Sequence, residues 1–284
     1  MPFAGLGSVF EDATGIKLVS NLFPIPVIDR PTITSLDEKT VAFFESTSDT
    51  LITYRRDGAN WSQVGAGLVI ATTGAAVLTA LDNNTVAFID DGNDSLRAYR
   101  FDGINWAQVG AGLAVATVGS PALSALNSTD VAFIDDFNDT LRTYRFDGTN
   151  WAQVGAGLVI GTVVLPALAA LTNTDVAFID GGNESLRTYR FDGSNWAQVG
   201  AGLVLNAFNQ PAITSLDGNT VAFIDSTSDT LRTYRFGQIT WSQVGASLLI
   251  NISAQAALAA LTNTDVAYTD INNQHLVTYR ITVS

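Results

Sequence analysis

The sequence predicts an all-β fold, a six-bladed β-propeller of four-stranded antiparallel blades, and three observations predict it. The five tryptophans stand at 61, 106, 151, 196 and 241, so the chain repeats every 45 residues, a period that marks a solenoid, a propeller or an array. Each copy divides into four short extended segments bounded by Asn, Asp, Gly and Ser clusters, which is the signature of successive hairpins. The last copy stops after its third segment, HLVTYRITVS, while the N-terminal region carries a fourth segment with no hairpin partner of its own. Four antiparallel strands repeated about a circle make a propeller. A closing strand contributed from the N-terminus removes a sheet edge that could otherwise pair with another chain.

The repeat is organised around residues 141–155, LRTYRFDGTNWAQVG, with copies at Leu51, Leu96, Leu186 and Leu231. Asp147-Gly148-Thr149-Asn150 is turn chemistry, because Gly accepts positive φ and Asp and Asn bond their own backbone. Pairing Phe146 with Trp151 across that turn puts Arg142, Tyr144, Phe146, Trp151 and Gln153 on one face, since side chains alternate with period two. Leu141, Thr143, Arg145, Ala152 and Val154 fall on the other. In the third copy the strands are expected at 121–126, 130–135, 141–146 and 151–154, with an apolar crossover over 156–165. Copies start near 31, 76, 121, 166, 211 and 256, and the whole of 1–284 reads as one propeller domain. At the N-terminus, Lys17-Leu18-Val19-Ser20-Asn21-Leu22-Phe23 lines up with Gly202-Leu203-Val204-Leu205-Asn206-Ala207-Phe208. That alignment leaves a five-residue insertion holding Pro24 and Pro26 before Pro31.

Composition narrows the function. Net charge is −13, with 14 basic and 27 acidic residues, a field that repels nucleic-acid phosphate and anionic membranes. There is no cysteine, hence no disulfide framework and no thiolate metal site. The segment MPFAGLGSVF lacks the basic start and long apolar run of a secretory signal peptide. Residues 154–171 are uncharged over a length that touches the threshold for a spanning helix. They contain Gly155, Gly157, Gly161 and Pro166 and read as strand, crossover and strand, so no membrane insertion is expected.

The segment PALSALNSTDVAFIDDFNDTLRTYRFDGTNW, from Pro121 to Trp151, resembles the repeat of the fungal fucose-binding lectins, which are six-bladed propellers. The likeness extends through the repeats over nearly the whole chain. It implies sugar binding between blades by a second-strand Arg, a third-strand Glu and aromatic residues. Here the Arg position holds Ala87, Ala132, Ala177 or Ala222, and the Glu position holds Thr53, Ala98, Thr143, Thr188, Thr233 or Thr278. The aromatic element, Trp61 and its equivalents, is retained.

Four features bear on chemistry. Arg97, Arg142, Arg187 and Arg232 share a face with Trp106, Trp151, Trp196 and Trp241, an arrangement suited to cation–π contact or to a sugar platform; the alternative is that the rings pack blade against blade. Arg55, Arg100, Arg145, Arg190, Arg235 and Arg280 recur on the third strand and call for carboxylates, because an unpaired buried charge is very costly. The recurring candidates are Asp90, Asp135, Asp180, Asp225 and Asp270, with Glu45 in the first copy, giving one structural ion pair per blade. The acidic turns after those residues lack the calcium-loop pattern and read as turn chemistry, so neither metal nor cofactor is expected. An enzyme is not expected either: the single histidine, His275, sits at a Ser/Thr position and reads as a surface turn residue, and the four glutamates, Glu11, Glu38, Glu45 and Glu184, occupy unrelated contexts.

Two function classes fit these residues. One is a non-catalytic, lectin-like module that binds a small glycan or other neutral ligand at several inter-blade sites, gaining by avidity. The other is a structural or docking propeller that meets a partner protein, such as a surface or appendage component of a microbial or viral particle.

Overall fold

The computed structural model describes residues 15–25, 32–45, 47–70, 76–90, 92, 94–115, 121–135, 138–161, 165–180, 184–205, 211–225, 227–250, 256–270 and 274–282. Six antiparallel sheets form a propeller ring, with no helix among the described residues. Blade 3 shows the plan: an inner strand Ala122–Ala125, a second strand Asp130–Asp135, a third Thr140–Phe146 and an outer Trp151–Val159. Phe146 pairs with Trp151 as expected. The uncharged run at 154–171 is the end of that outer strand and the next blade's inner strand Ala167–Ala170.

A continuous apolar run explains why the second strand forms the core. Val131, Ala132, Phe133 and Ile134 are wholly buried, as are their equivalents in blades 2 and 4, because both faces of each blade are covered by neighbouring blades. Each core cluster therefore spans two blades, such as Ala132, Ile134 and Leu141 of blade 3 against Val176, Phe178 and Trp196 of blade 4. Small first-strand residues are required where six inner strands converge on the axis.

The outer strand is longer than the sequence implied. It continues past Val154 through a bulge at Gly155 (φ 69°) and resumes pairing with Leu158 opposite Leu141. The bulge docks on the next blade: Ala156 N–H donates to Ser194 O at 2.8 Å, in the turn of blade 4. The same lock joins Ala66 to Ile104, Ala111 to Thr149 and Ala201 to Ile239. A Cβ on Gly65, Gly110, Gly155 or Gly200 would collide with that neighbouring carbonyl, so the glycine serves both the positive φ and the close approach.

The N-terminal segment closes the ring, with one correction. Ile16–Leu18 and Phe23–Pro24 form the outer strand of blade 6, pairing with His275–Ile281. Leu18 lies opposite Tyr279 and Phe23 opposite Leu276, so Phe23 matches Leu203, not Phe208. There is no five-residue insertion. Ile16 stands where other blades have Trp, and the expected alignment was shifted by five because short apolar strings match in more than one register. Asn21 N–H then donates to Ala59 O at 2.7 Å, completing the inter-blade lock onto blade 1.

Candidate functional site

The expected aromatic platform is closed. Trp106, Trp151, Trp196 and Trp241 are only 4–5% exposed. Each ring lies tilted against the phenylalanine paired with it, Phe146 and Trp151 having centroids 4.9 Å apart. The indole N–H reaches the preceding blade: Trp106 donates to Thr53 Oγ1 at 2.9 Å, Trp196 to Thr143 at 3.0 Å and Trp241 to Thr188 at 3.1 Å. A sugar cannot stack on a ring buried in this way, so these four positions are blade-to-blade core. At these three seams the lectin-like Glu position has become the threonine that satisfies the indole. Arg97, Arg142 and Arg187 lie half-buried across the glycines of their own outer strands, Gly112, Gly157 and Gly202. Arg232 bonds Ser228 and Thr230 and lies 3.3 Å from Asp225.

The expected ion pairs also need correction. Arg145 Nε and Nη2 donate to Asp130 Oδ1 and Oδ2 at 2.6 and 2.7 Å. Arg190 does the same with Asp175, and Arg280 with Asp265. The partner is thus the first residue of the second strand, not Asp135 or Asp180 at its end. Antiparallel register decides this, placing Asp130 opposite Arg145 and Asp135 opposite Thr140. In blades 2 and 5 the same register puts Thr85 opposite Arg100 and Thr220 opposite Arg235, while Asp90 and Asp225 lie five residues along the strand. These arginines are not buried: the Arg145 side chain is 54% exposed. Hydrogen bonding to Arg145, working against burial, holds the Asp130 carboxyl below its usual value. The acids at the far end have another task. Asp225 accepts the turn N–H of Thr227 and Ser228, and Glu45 accepts those of Thr47 and Ser48. His275 stands within the third strand of blade 6, half-buried beside Pro24 and opposite Asp270, rather than on a surface turn.

The seam between blades 6 and 1 is exceptional. Arg56 replaces the usual phenylalanine and reaches Asp265 Oδ2 at 3.2 Å, while Arg280 holds both carboxylate oxygens. Burial works to raise the Asp265 carboxyl, but the two guanidiniums outweigh it and the group lies below the usual carboxylate range.

Two cavities lined by described residues bear on function. The axial channel holds about 370 Å³ between the inner strands. Hydroxyls line it and are spent on the neighbouring strand: Thr34, Thr79, Ser124 and Thr214 accept the N–H groups of Ala80, Ala125, Ala170 and Ala260 at 2.8–3.0 Å. The second, about 320 Å³, is a groove between blades 2 and 3. Its apolar surfaces are Leu81 and Phe146, its hydroxyls Thr85, Ser128 and Thr129, and its charges Arg100, Asp82 and Asp147. Here Thr85 stands where blade 3 has Asp130. Arg100 Nε bonds Thr85 Oγ1 at 3.2 Å, and no carboxylate among the described residues pairs with its Nη groups. Asp147 Oδ1 accepts Thr149 N–H at 2.8 Å and Asn150 N–H at 2.7 Å. Asn150, then Thr149, keep that carboxyl below its usual value. Asp82 Oδ1 caps Asn84 and Thr85 likewise. In both residues these backbone bonds fall on Oδ1.

No group of three or more His, Asp or Glu side chains suited to a metal occurs among the described residues, nor does a helix long and apolar enough to cross a membrane. Burial, then the Glu45 charge, pushes the Tyr54 phenol up to about 12, which keeps it protonated.

No family model matches the chain, and no curated protein matches it. The resemblance to the fungal lectins therefore stops at the six-bladed propeller. Solved structures do match along most of their length. A streptogramin B lyase is 11% identical with a TM-score of 0.63, covering 96% of this chain and 100% of that one. The Cps50 (Swd1) propeller domain of Myceliophteria thermophila is 8% identical with a TM-score of 0.58, over 93% and 99%. YCF48 bound to D1 peptide is 12% identical with a TM-score of 0.52, over 93% and 98%. At these identities the likeness establishes the propeller fold alone.

Proposed function

We propose that the protein is a non-catalytic recognition module that takes a small neutral, polyhydroxylated ligand, such as a glycan unit, in its inter-blade grooves. The observation that carries this reading is the exchange of Asp for Thr at residue 85, which releases the Arg100 guanidinium into the groove. Nη donors that no described carboxylate pairs with, two turn carboxylates and an apolar floor match vicinal hydroxyls and the apolar face of a pyranose. The carboxylates disfavour an anionic ligand. The same Thr–Arg pair recurs at Thr40 with Arg55 and Thr220 with Arg235, so up to three grooves serve the purpose, and weak sites gain by avidity. Blades 3, 4 and 6 keep their aspartates and hold their arginines closed.

Thr85→Asp copies the natural blade-3 state. Titration calorimetry against a panel of neutral mono- and disaccharides should show heat for the wild type and a stoichiometry lower by one for Thr85→Asp, with an unchanged or higher Tm. No heat at millimolar sugar, or binding indifferent to Thr85→Asp, would sink this reading.

A docking role is the second reading, and the uncharged outer strands favour it. YCF48, a propeller of similar fold, is described as bound to a peptide.

A further inference from the structure

The rim of the propeller has a composition that the grooves do not explain. The outer strands of blades 1 to 5, such as Trp106–Ala114, Trp151–Val159 and Trp196–Val204, contain no charged residue in a protein of net charge −13. Each is the end strand of its sheet, so one backbone edge faces outward. Natural edges are defended by Lys, Pro, inward charge or a bulge; blades 1 to 4 have only the bulge, whereas blade 6 carries Lys17 and Pro24. Beyond the bulge, Val69, Val159, Val204 and Leu249 are 62–71% exposed, at the same place in blades 1, 3, 4 and 5, while blade 2 has Ala114 there. A carboxylate brackets either end of the strand. In blade 3 the turn residue Asp147 precedes Trp151, and Ile160 N–H, just past Val159, bonds the backbone of Asp139. Blade 2 repeats this with Asp102 and Asp94, and blade 4 with Asp192 and Glu184.

We infer that the outer strands dock an extended segment of a partner protein by strand addition, and that this segment is apolar or neutral in the middle with Lys or Arg at its ends. Backbone hydrogen bonds supply the pairing and alternate side chains the contacts with the exposed valines. The partner's cations then meet the bracketing acids. A nine-residue strand spans about 30 Å, which fixes the separation of the two basic ends. A second copy of this chain fits less well, because the same acidic brackets would face each other. The inference shares Asp147 with the groove reading, but its test reads Val69, Val159 and Val204, which line neither cavity.

A synthetic nine-residue peptide of alternating Val and Thr with Lys at both ends, fluorescently labelled, tests it by anisotropy on the full-length protein. Binding is expected, weakening several-fold between 50 and about 300 mM salt as exposed charges are screened. The same peptide N-methylated at alternate residues should not bind, and neither should one with Glu at both ends. The triple variant Val69→Lys, Val159→Lys and Val204→Lys should lose most of the binding with an unchanged Tm and unchanged sugar heats. Absence of peptide binding, or equal binding of the N-methylated peptide, would overturn the inference. So would concentration-dependent self-association in sedimentation velocity that the triple variant abolishes, since the rim would then be a contact between copies.

Discussion

Replacing Ala98 by threonine should stabilise the propeller. Three indoles donate to a threonine 53 positions earlier, on the preceding blade. For Trp151 that position is Ala98, and Trp151 Nε1 is buried without a partner. An unmet buried donor costs about 1–3 kcal/mol, and a new hydrogen bond contributes about 1. Ala98 is fully buried, so added atoms carry an overpacking cost of about 1 kcal/mol, reduced here because the sister blades accommodate threonine in like surroundings. The net expectation is about 1 kcal/mol of added stability, or about 2–3 °C in Tm for a chain of this size. Urea unfolding followed by tryptophan fluorescence should show a raised midpoint at unchanged slope. Ala98→Val adds the volume without the hydroxyl and should not stabilise. Thr143→Ala, which orphans Trp196, should cost about 1–3 kcal/mol. A destabilised Ala98→Thr together with a neutral Thr143→Ala would refute the indole–hydroxyl account of blade packing.

Other predictions follow from the seam, the bulges and the surface pairs. Asp265→Ala leaves Arg56, whose side chain is 12% exposed, facing a lost partner and should cost about 2–3 kcal/mol, below the figure for a wholly buried pair because Arg280 is half exposed; thermal unfolding measures it. Because the folded Asp265 carboxyl lies below its unfolded value, its contribution is present above the ordinary carboxylate range and is lost as pH falls through the folded value. Asp265→Asn should therefore flatten the fall in Tm below about pH 4. Gly110→Ala drives a Cβ into the Thr149 carbonyl at positive φ and should cost about 3 kcal/mol or more, whereas Gly103→Ala, with open space around it, should cost only the backbone strain of about 1 kcal/mol. Arg145→Met, at a half-exposed pair, should change the urea midpoint far less than Asp265→Ala.

Blade number, strand order and the Phe146–Trp151 register were legible in the sequence because the 45-residue period and the Asp-Gly turn are local signals. The closing strand was legible in kind but not in register. Its apolar string fits two alignments five residues apart, and the pairings of Leu18 with Tyr279 and Phe23 with Leu276 separate them. The partner of Arg145 was misread for a related reason. The second strand carries an aspartate at each end, and sequence alone does not weigh one end against the other until the hairpin register is fixed. A signal did exist, since residues 130, 175 and 265 are Asp where 40, 85 and 220 are Thr. In the proposed reading, that exchange marks the open grooves. The tryptophans were ambiguous because each opens an outer strand that is otherwise largely exposed, so the local pattern does not show the ring turning onto the neighbouring blade. The hydroxyl at the vacated Glu position was the clue that their N–H groups turn inward.

The central claim is that an aspartate opposite the third-strand arginine closes a groove and a threonine opens it. Asp130→Thr tests this most directly, since it should release Arg145 beside Phe191 and Asp192 and create a site where none is expected. Titration calorimetry with the tightest-binding neutral saccharide should give a stoichiometry one higher than wild type for Asp130→Thr. An unchanged stoichiometry in a folded Asp130→Thr protein would contradict the claim.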